Sequence, residues 1–437
     1  MPRRPGAPRR GVSAGHRQGL SPAEPALGTR RIAVTGIGAI SALGNSLETF
    51  YRSLADARSG VRRLPAEVTL GSGVQAGALA DWDPAAHFKG PEAGSLDRAT
   101  QFALAAAGQA LAASGLDPAA ADRNRIGVYW GTGMGGAHSL EVAYSSVYGK
   151  NDFRLRPLSV VMAMSNAAGS NVAVKWGLRG PFANFSTACS SSAMAIGEAM
   201  HTIRAGRADA VVAGGSEALL TPAVLAAWQA LRTLAAADAN DAAASCKPFD
   251  RRRGGLVLGE GAAALVLEEE SRARARGARI LAFITGYGNT CDAAHMSKPD
   301  RDGQVRAMTQ ALAESGLAPE AIGYINAHGT ATIVGDVVEC EAIKAVFGDA
   351  AMRIPVSSTK SMHGHLLGGA GALEMAAALM PFSEGVIPPT ANLEQPDPAC
   401  AVRHVPLQAE RGEIPRAVMS NSFAFGGSNV VLIAQRA

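Results

Sequence analysis

The chain reads as an α/β protein built from two duplicated halves, each a mixed sheet covered by helices. Three pairs of segments predict this. Residues 109–118 read QALAASGLDP and residues 310–319 read QALAESGLAP. Each is followed by a similar strand, RIGVYWGTG (125–133) and AIGYINAHGT (321–330). Arg31…Thr35-Gly-Ile-Gly38 is likewise echoed by Arg279…Thr285-Gly-Tyr-Gly288. Matches in the same order argue for internal duplication. Alternating strands and helices within each copy argue for sheets with helical faces. The halves are expected at 31–270 and 271–437, the first carrying insertions.

The first strand opens at Arg31. Its GIG is a partial match to GxGxxG, with Ser41 at the third glycine, and carries no dinucleotide reading. Residues 97–116 form a helix, from Asp97 to the SGL stop. Strand 126–130 runs into GTGMGG (131–136), whose glycines permit a close turn and leave room for a ligand or a neighbouring backbone. Next come a helix through 165–176, a strand at 210–213 with a turn at Gly214-Gly215, and a helical region through Leu234. Residues 235–245 read as a loop and 263–268 as a buried strand.

Within this run lies NFSTACSSSAMAIGEAMHTIRAG (184–206). Ala193, Ile196, Met200 and Ile203 recur at steps of three and four, so they form one apolar stripe of a helix that Gly206 stops. Cys189 then stands at a helix N-terminus, where unpaired N–H groups and the helix dipole favour a thiolate. Read alone, it is either a nucleophile or core filler, since buried free cysteine is common.

The totals bound the rest. At 437 residues, 47% hydrophobic and 18% charged, the chain has the composition of a globular protein with more than one core. No run of about 18 apolar residues suggests a membrane span. The five cysteines are scattered and form no CxxC, so neither a disulfide framework nor a structural zinc site is expected. A reducing cytoplasm fits. The net charge of +4 hides an asymmetry: residues 1–31 hold seven Arg and one acid, leaving the remainder slightly acidic. By charge the body is no nucleic-acid binder. Residues 1–30 are expected to be a disordered basic tail, either dispensable or an organelle transit peptide.

Three stretches of the second half hold further chemistry. NAHGTAT (326–332) puts His328 after a buried strand, a placement shared by active-site and structural histidines. SSTKSMHGH (357–365) offers Lys360, His363 and His365 before a Gly-rich helix start. Glu374 lies in the helix that follows, where an unpaired acid is costly to bury. NSFAFGG (421–427) is a glycine-rich turn before the last strand.

Together TACSSSA (187–193), NAHGTAT, SSTKSMHGH and NSFAFGG resemble the motifs of β-ketoacyl-acyl-carrier-protein synthases, most nearly the elongating type. The resemblance runs in order over residues 31–436 and is supported by VAGGSEA (212–218), KPFD (247–250) and LGEGAA (258–263). It implies the thiolase fold, two duplicated halves in five layers, αβαβα. It implies a decarboxylative Claisen condensation in fatty-acid elongation, with Cys189 as the acyl-carrying nucleophile. His328 and His365 would assist decarboxylation, and Lys360 and Glu374 would order them. The N–H groups of Cys189 and Phe425 would form the oxyanion hole, with Phe423 and Phe425 flanking Ala424 in a gating loop. Thr330 and Thr332 would contact the phosphopantetheine arm, which the acyl carrier protein supplies, so no cofactor or metal is implied. A homodimer is implied, or a heterodimer with a related subunit in a polyketide pathway.

Rival readings are a ketosynthase of a specialised type II polyketide or polyene lipid pathway and a catalytically inactive binding protein. A degradative thiolase lacks support because residues 420–429 hold no second Cys. The chain also departs from the family. Ala424 stands where glycine is common. PEAGSL (91–96) replaces a basic run, leaving Arg232, Lys247 and Arg251–Arg253 as candidate carrier-docking cations. His363 stands where threonine is common and is expected to face solvent. Met134 is expected to line the acyl pocket.

Overall fold

The computed structural model describes residues 30–437. The tail expected at 1–30 therefore lies, save for a buried Arg30, outside the described residues. Ten strands form one sheet: β1 (Ile32–Ser41), β2 (Ile126–Gly131), β3 (Phe182–Phe185), β4 (Ala210–Glu217), β5 (Gly261–Glu269), β6 (Ala282–Cys291), β7 (Ile322–Asn326), β8 (Val356–Ser357), β9 (Ala417–Phe423) and β10 (Ser428–Arg436). Their order is β3-β2-β4-β5-β1 followed by β6-β10-β9-β7-β8. Counted outward from the junction, the two halves have the same order, so the repeats in the sequence are repeats in topology. The halves meet where Ile32–Val34 of β1 pair antiparallel with Ala282–Ile284 of β6.

Helices cover this sheet in layers. α1 (Arg98–Ser114) and α2 (Ala167–Trp176) pack on the first half. α4 (Arg301–Ser315) and α5 (Gly335–Phe347) pack on the second. Between the halves lie α3 (Ser191–Arg204) and α6 (Ala370–Glu384), in one apolar core with β1, β4, β5, β6, β9 and β10. With each half of the sheet as one β layer, this is the five-layer αβαβα arrangement.

The repeated TGxG segments have a packing explanation. A Cβ at Gly36 would stand 2.0 Å from the Ala110 carbonyl oxygen and one at Gly38 2.1 Å from that of Ala106, both on α1. In the second half, a Cβ at Gly286 would stand 2.3 Å from the Ala311 carbonyl oxygen and one at Gly288 1.9 Å from that of Ala307, both on α4. The glycines let each helix lie against its strand backbone, and no phosphate loop is formed. Both helices end on a left-handed glycine, Gly115 and Gly316, as the paired SGL stops require.

Two expectations change. Gly214 and Gly215 continue β4 rather than turning, because their lack of side chains lets β2 and β5 flank the strand closely. The helical region ending at Leu234 is shorter, at Pro222–Ala230. Among the described residues, no helix is long and apolar enough to cross a membrane.

Candidate active site

α3 is anchored by the stripe foreseen in the sequence. Ala193, Ile196, Met200 and Ile203 are at most 1% exposed, and each large side chain so buried contributes about 1.5–3 kcal/mol. The turn Ala188–Ser190 precedes it. Ala188 there adopts φ +51, a conformation that costs a non-glycine residue about 1–3 kcal/mol and that the surroundings must enforce. Cys189 follows, buried beside the first turn of α3.

β7 delivers His328. Beyond its end, Glu339 of α5 accepts the N–H of His328 at 2.8 Å and that of Gly329 at 2.7 Å. Glu339 also accepts from Asn421 Nδ2 at 3.0 Å and so ties the His328 loop to the strand entering NSFAFGG. β8 leads into the short helix Lys360–His363 and then to His365. The His365 N–H donates to the Val257 carbonyl at 2.7 Å and its carbonyl accepts from Gly259 at 2.9 Å.

These segments converge on one cavity of about 300 Å3, lined by Cys189, His328, His365, Thr330, Thr332, Phe423 and Phe425 among others. His365 Nε2 lies 3.0 Å from Cys189 Sγ. The two histidine rings are 5.4 Å apart and nearly perpendicular. Lys360 Nζ donates to the His328 carbonyl at 2.6 Å, faces His328 Nδ1 at 3.5 Å and pairs with Glu374. Thr330 and Thr332 hydroxyls are 3.2 Å apart. The expected Cys, His, His, Lys and Glu are thus brought together.

Burial sets the protonation states. It pushes both histidines well below the usual imidazole range, and the Lys360 charge pushes further. It pushes the Cys189 thiol up to about 12, which Lys360 and the N–H groups of Phe425 and Cys189 offset only in part. Burial thus works against the thiolate expected at a helix start. The helix terminus and those two N–H groups are placed where negative charge near Sγ would be stabilised. Burial also raises Glu374 to about 7, opposed by Lys360.

Cys189, His328 and His365 place one ligand atom each within 4.8 Å of one another, a donor set suited to a soft divalent ion. Lys360 opposes that use. Its ammonium directs a proton at His328 Nδ1, which leaves the His328 proton on Nε2, the atom that would have to ligate.

The β-ketoacyl synthase N-terminal domain matches residues 29–273 and its C-terminal domain residues 281–394. The chain belongs to the β-ketoacyl synthase family. It is 41% identical to 3-oxoacyl-[acyl-carrier-protein] synthase 2 of Synechocystis, over 92% of this chain and 97% of that one. It is 39% identical to the enzyme of the same name from Staphylococcus aureus strain COL, over 93% and 98%. A solved β-ketoacyl synthase from Burkholderia phymatum STM815 superposes with a TM-score of 0.87 at 36% identity, over 94% and 100%. A type II polyketide ketosynthase solved with its acyl-carrier protein superposes at 0.86 with 31% identity, over 93% and 99%.

In this β-ketoacyl synthase some expected site residues lie elsewhere. Met134 is 44% exposed and is not among the cavity residues. Glu217 accepts the N–H groups of Gly133, Met134 and Gly368 and the Thr132 hydroxyl, which holds the turn's backbone inward and leaves the Met134 side chain out. Lys247 is mostly buried and paired with Asp238 at 2.5 Å, so it offers no free docking charge. Arg252 and Arg253 are likewise paired, with Asp250 and Asp397. Arg232 is exposed at the cavity mouth, as docking requires. His363 does not face solvent: it is fully buried.

Ala424 meets no conformational penalty here. Gly426 and Gly427 supply the left-handed residues of the loop, at φ +87 and +78, and Ala424 is not among the residues with positive φ. Three residues were not singled out from sequence. Glu339 was findable as an acid on the apolar face of α5. Trp228 stacks on Phe425 at 6.0 Å. Lys298 stands exposed at the mouth. Neither Trp228 nor Lys298 had a sequence signal.

Proposed function

We propose that the chain catalyses decarboxylative Claisen condensation of an acyl thioester with malonyl-acyl carrier protein, giving a 3-oxoacyl-acyl carrier protein in fatty-acid elongation. The observation that carries this is Cys189 Sγ at 3.0 Å from His365 Nε2, with His328 beside both. Cys189 attacks the acyl thioester and the carrier thiol leaves with the proton. The N–H groups of Cys189 and Phe425, both directed at Sγ, stabilise the oxyanion. Malonyl-carrier protein then enters. Neutral imidazoles, unlike imidazolium ions, offer hydrogen bonds without stabilising the departing carboxylate as an ion pair. His328, with its proton on Nε2, donates to the forming enolate oxygen as CO2 leaves. The enolate carbon attacks the acyl-enzyme carbonyl, the new C–C bond forms as the C–S bond to Cys189 breaks, and the departing thiolate takes up a proton from water.

The phosphopantetheine arm belongs to the carrier substrates, and Thr330 and Thr332 suit its amides. Carrier docking falls to Arg232 and Lys298 at the mouth. A homodimer is supported by the open edge of β3 and by Tyr148, Phe153, Val160 and Val161, each more than half exposed. A cytoplasmic location accords with carrier-borne substrates and free cysteines. The polyketide reading has weaker support, since the type II polyketide neighbour is 31% identical against 39–41% for the 3-oxoacyl-[acyl-carrier-protein] synthases. Turnover with carrier proteins bearing acyl chains of graded length tests the proposal. A 3-oxoacyl product two carbons longer is expected, and CO2 release with no such product would refute it.

A further inference from the structure

Lys360 and Glu374 hold His328, but apart from the reacting thiol of Cys189 at Nε2 no side chain holds the ring of His365. Its Nδ1 has no hydrogen-bond partner among the described residues. The direction of this ring therefore depends on its backbone. The preceding residue, Gly364, sits at φ +67 and ψ −169, a region essentially closed to other residues. The peptide between Gly364 and His365 is held at both ends. The His365 N–H donates to Val257 at 2.7 Å, and the Gly364 carbonyl lies 2.8 Å from His363 Nδ1.

A carbonyl only accepts, so His363 Nδ1 carries the proton and Nε2 is an acceptor. Nε2 lies 2.9 Å from the Thr359 hydroxyl, which donates to it. The Thr359 oxygen in turn accepts from Asn326 Nδ2 at 3.3 Å, two residues before His328. The His363 ring is fully buried, and burial with the Lys360 charge pushes it down to about 3. It is one neutral tautomer with both nitrogens used. It joins the Gly364 carbonyl to the end of the strand that delivers the other catalytic histidine.

We propose that His363 is a positioning residue for His365, locking the Gly364–His365 peptide so that His365 Nε2 faces the reacting centre. This rests on the condensing reading above. The effect belongs to the decarboxylation and condensation half of the cycle, since Cys189 is set by its own turn and by α3.

The test uses the full chain and three variants, with kcat, KM for malonyl-carrier protein and the rate of Cys189 acylation read separately. His363→Leu keeps bulk and removes the Nδ1 donor. His363→Asn places an amide N–H near the Nδ1 position. Thr359→Val removes the donor to Nε2 and leaves the ring free to turn. Misplacement of a catalytic group by about 1 Å costs up to about a hundredfold. The expected result is a loss of about tenfold or more in kcat for His363→Leu, with KM and acylation unchanged. His363→Asn should retain activity within about threefold and Thr359→Val should fall between. If His363→Leu does not fold, wild-type kcat in Thr359→Val overturns the proposal. Wild-type kcat in His363→Leu, or parallel loss of acylation and condensation, also overturns it. A native enzyme that forms no 3-oxoacyl product removes the condensing reading and this inference with it.

Discussion

Lys360 donates to the backbone carbonyl of His328 at 2.6 Å while its charge is matched by buried Glu374. In the proposed mechanism this makes the lysine a support for His328 rather than a reactant. Lys360→Met leaves the carboxylate buried without a partner, at a cost of about 3–5 kcal/mol, visible as a lower Tm. The double variant Lys360→Met/Glu374→Leu should recover most of that Tm and little of the condensation rate, because the lysine donor to His328 stays missing. Restored turnover in the double variant would contradict the role.

Glu339 supports the same histidine from the other side, through the N–H groups of His328 and Gly329. Glu339→Gln turns one acceptor into a donor against them, at about 1–3 kcal/mol. Malonyl decarboxylation should slow by about tenfold to a hundredfold. Because Asn421 shares this carboxylate, acylation should slow too. Unchanged single-turnover rates in both steps would exclude the link.

Glu217 predicts a pH dependence of stability. Burial raises its carboxyl to about 7 from an ordinary 4.5, despite three backbone donors and a hydroxyl. The folded state thus holds this proton more tightly than the unfolded chain. Stability from this group is present below about pH 4.5 and is lost as pH rises toward 7. A shift of that size corresponds to about 3 kcal/mol. Glu217→Gln should be less stable at pH 5 yet show a flatter decline between pH 5 and 8 in denaturant titrations. An identical slope in the variant would show that Glu217 does not titrate in this range.

Arg232 and Lys247 separate a docking charge from a structural one. Arg232→Glu should raise KM for carrier-borne substrate several-fold and weaken its salt dependence, as expected of a rim charge. Lys247→Ala should leave KM unchanged, since its charge is spent on Asp238. Steady-state kinetics at two ionic strengths decides, and the reverse ranking would reassign the docking surface.

The sequence made the duplication legible because the repeated glycines do the same job twice, letting α1 and α4 lie against β1 and β6. The site was legible where chemistry and local pattern coincide: Cys189 before an amphipathic helix, and His328 at a strand end. What stayed hidden depends on long-range packing. Nothing in SMHGH shows that His363 is enclosed by Phe50 and by hydrogen bonds to Thr359 and Gly364. Met134 was misplaced because the carboxylate that directs its turn is Glu217, far along the chain. The upward push on the Cys189 thiol was not legible because it comes from burial, and burial is a property of the whole fold.

The central claim is that Cys189 carries the acyl chain. Intact-mass measurement after incubation with acyl-carrier protein alone tests it most directly. The native enzyme should gain one acyl group, which then disappears on adding malonyl-carrier protein as 3-oxoacyl product forms. Cys189→Ala should gain none and make no product. An equal acyl adduct on Cys189→Ala, or turnover without any adduct on Cys189 in the native enzyme, would contradict the account.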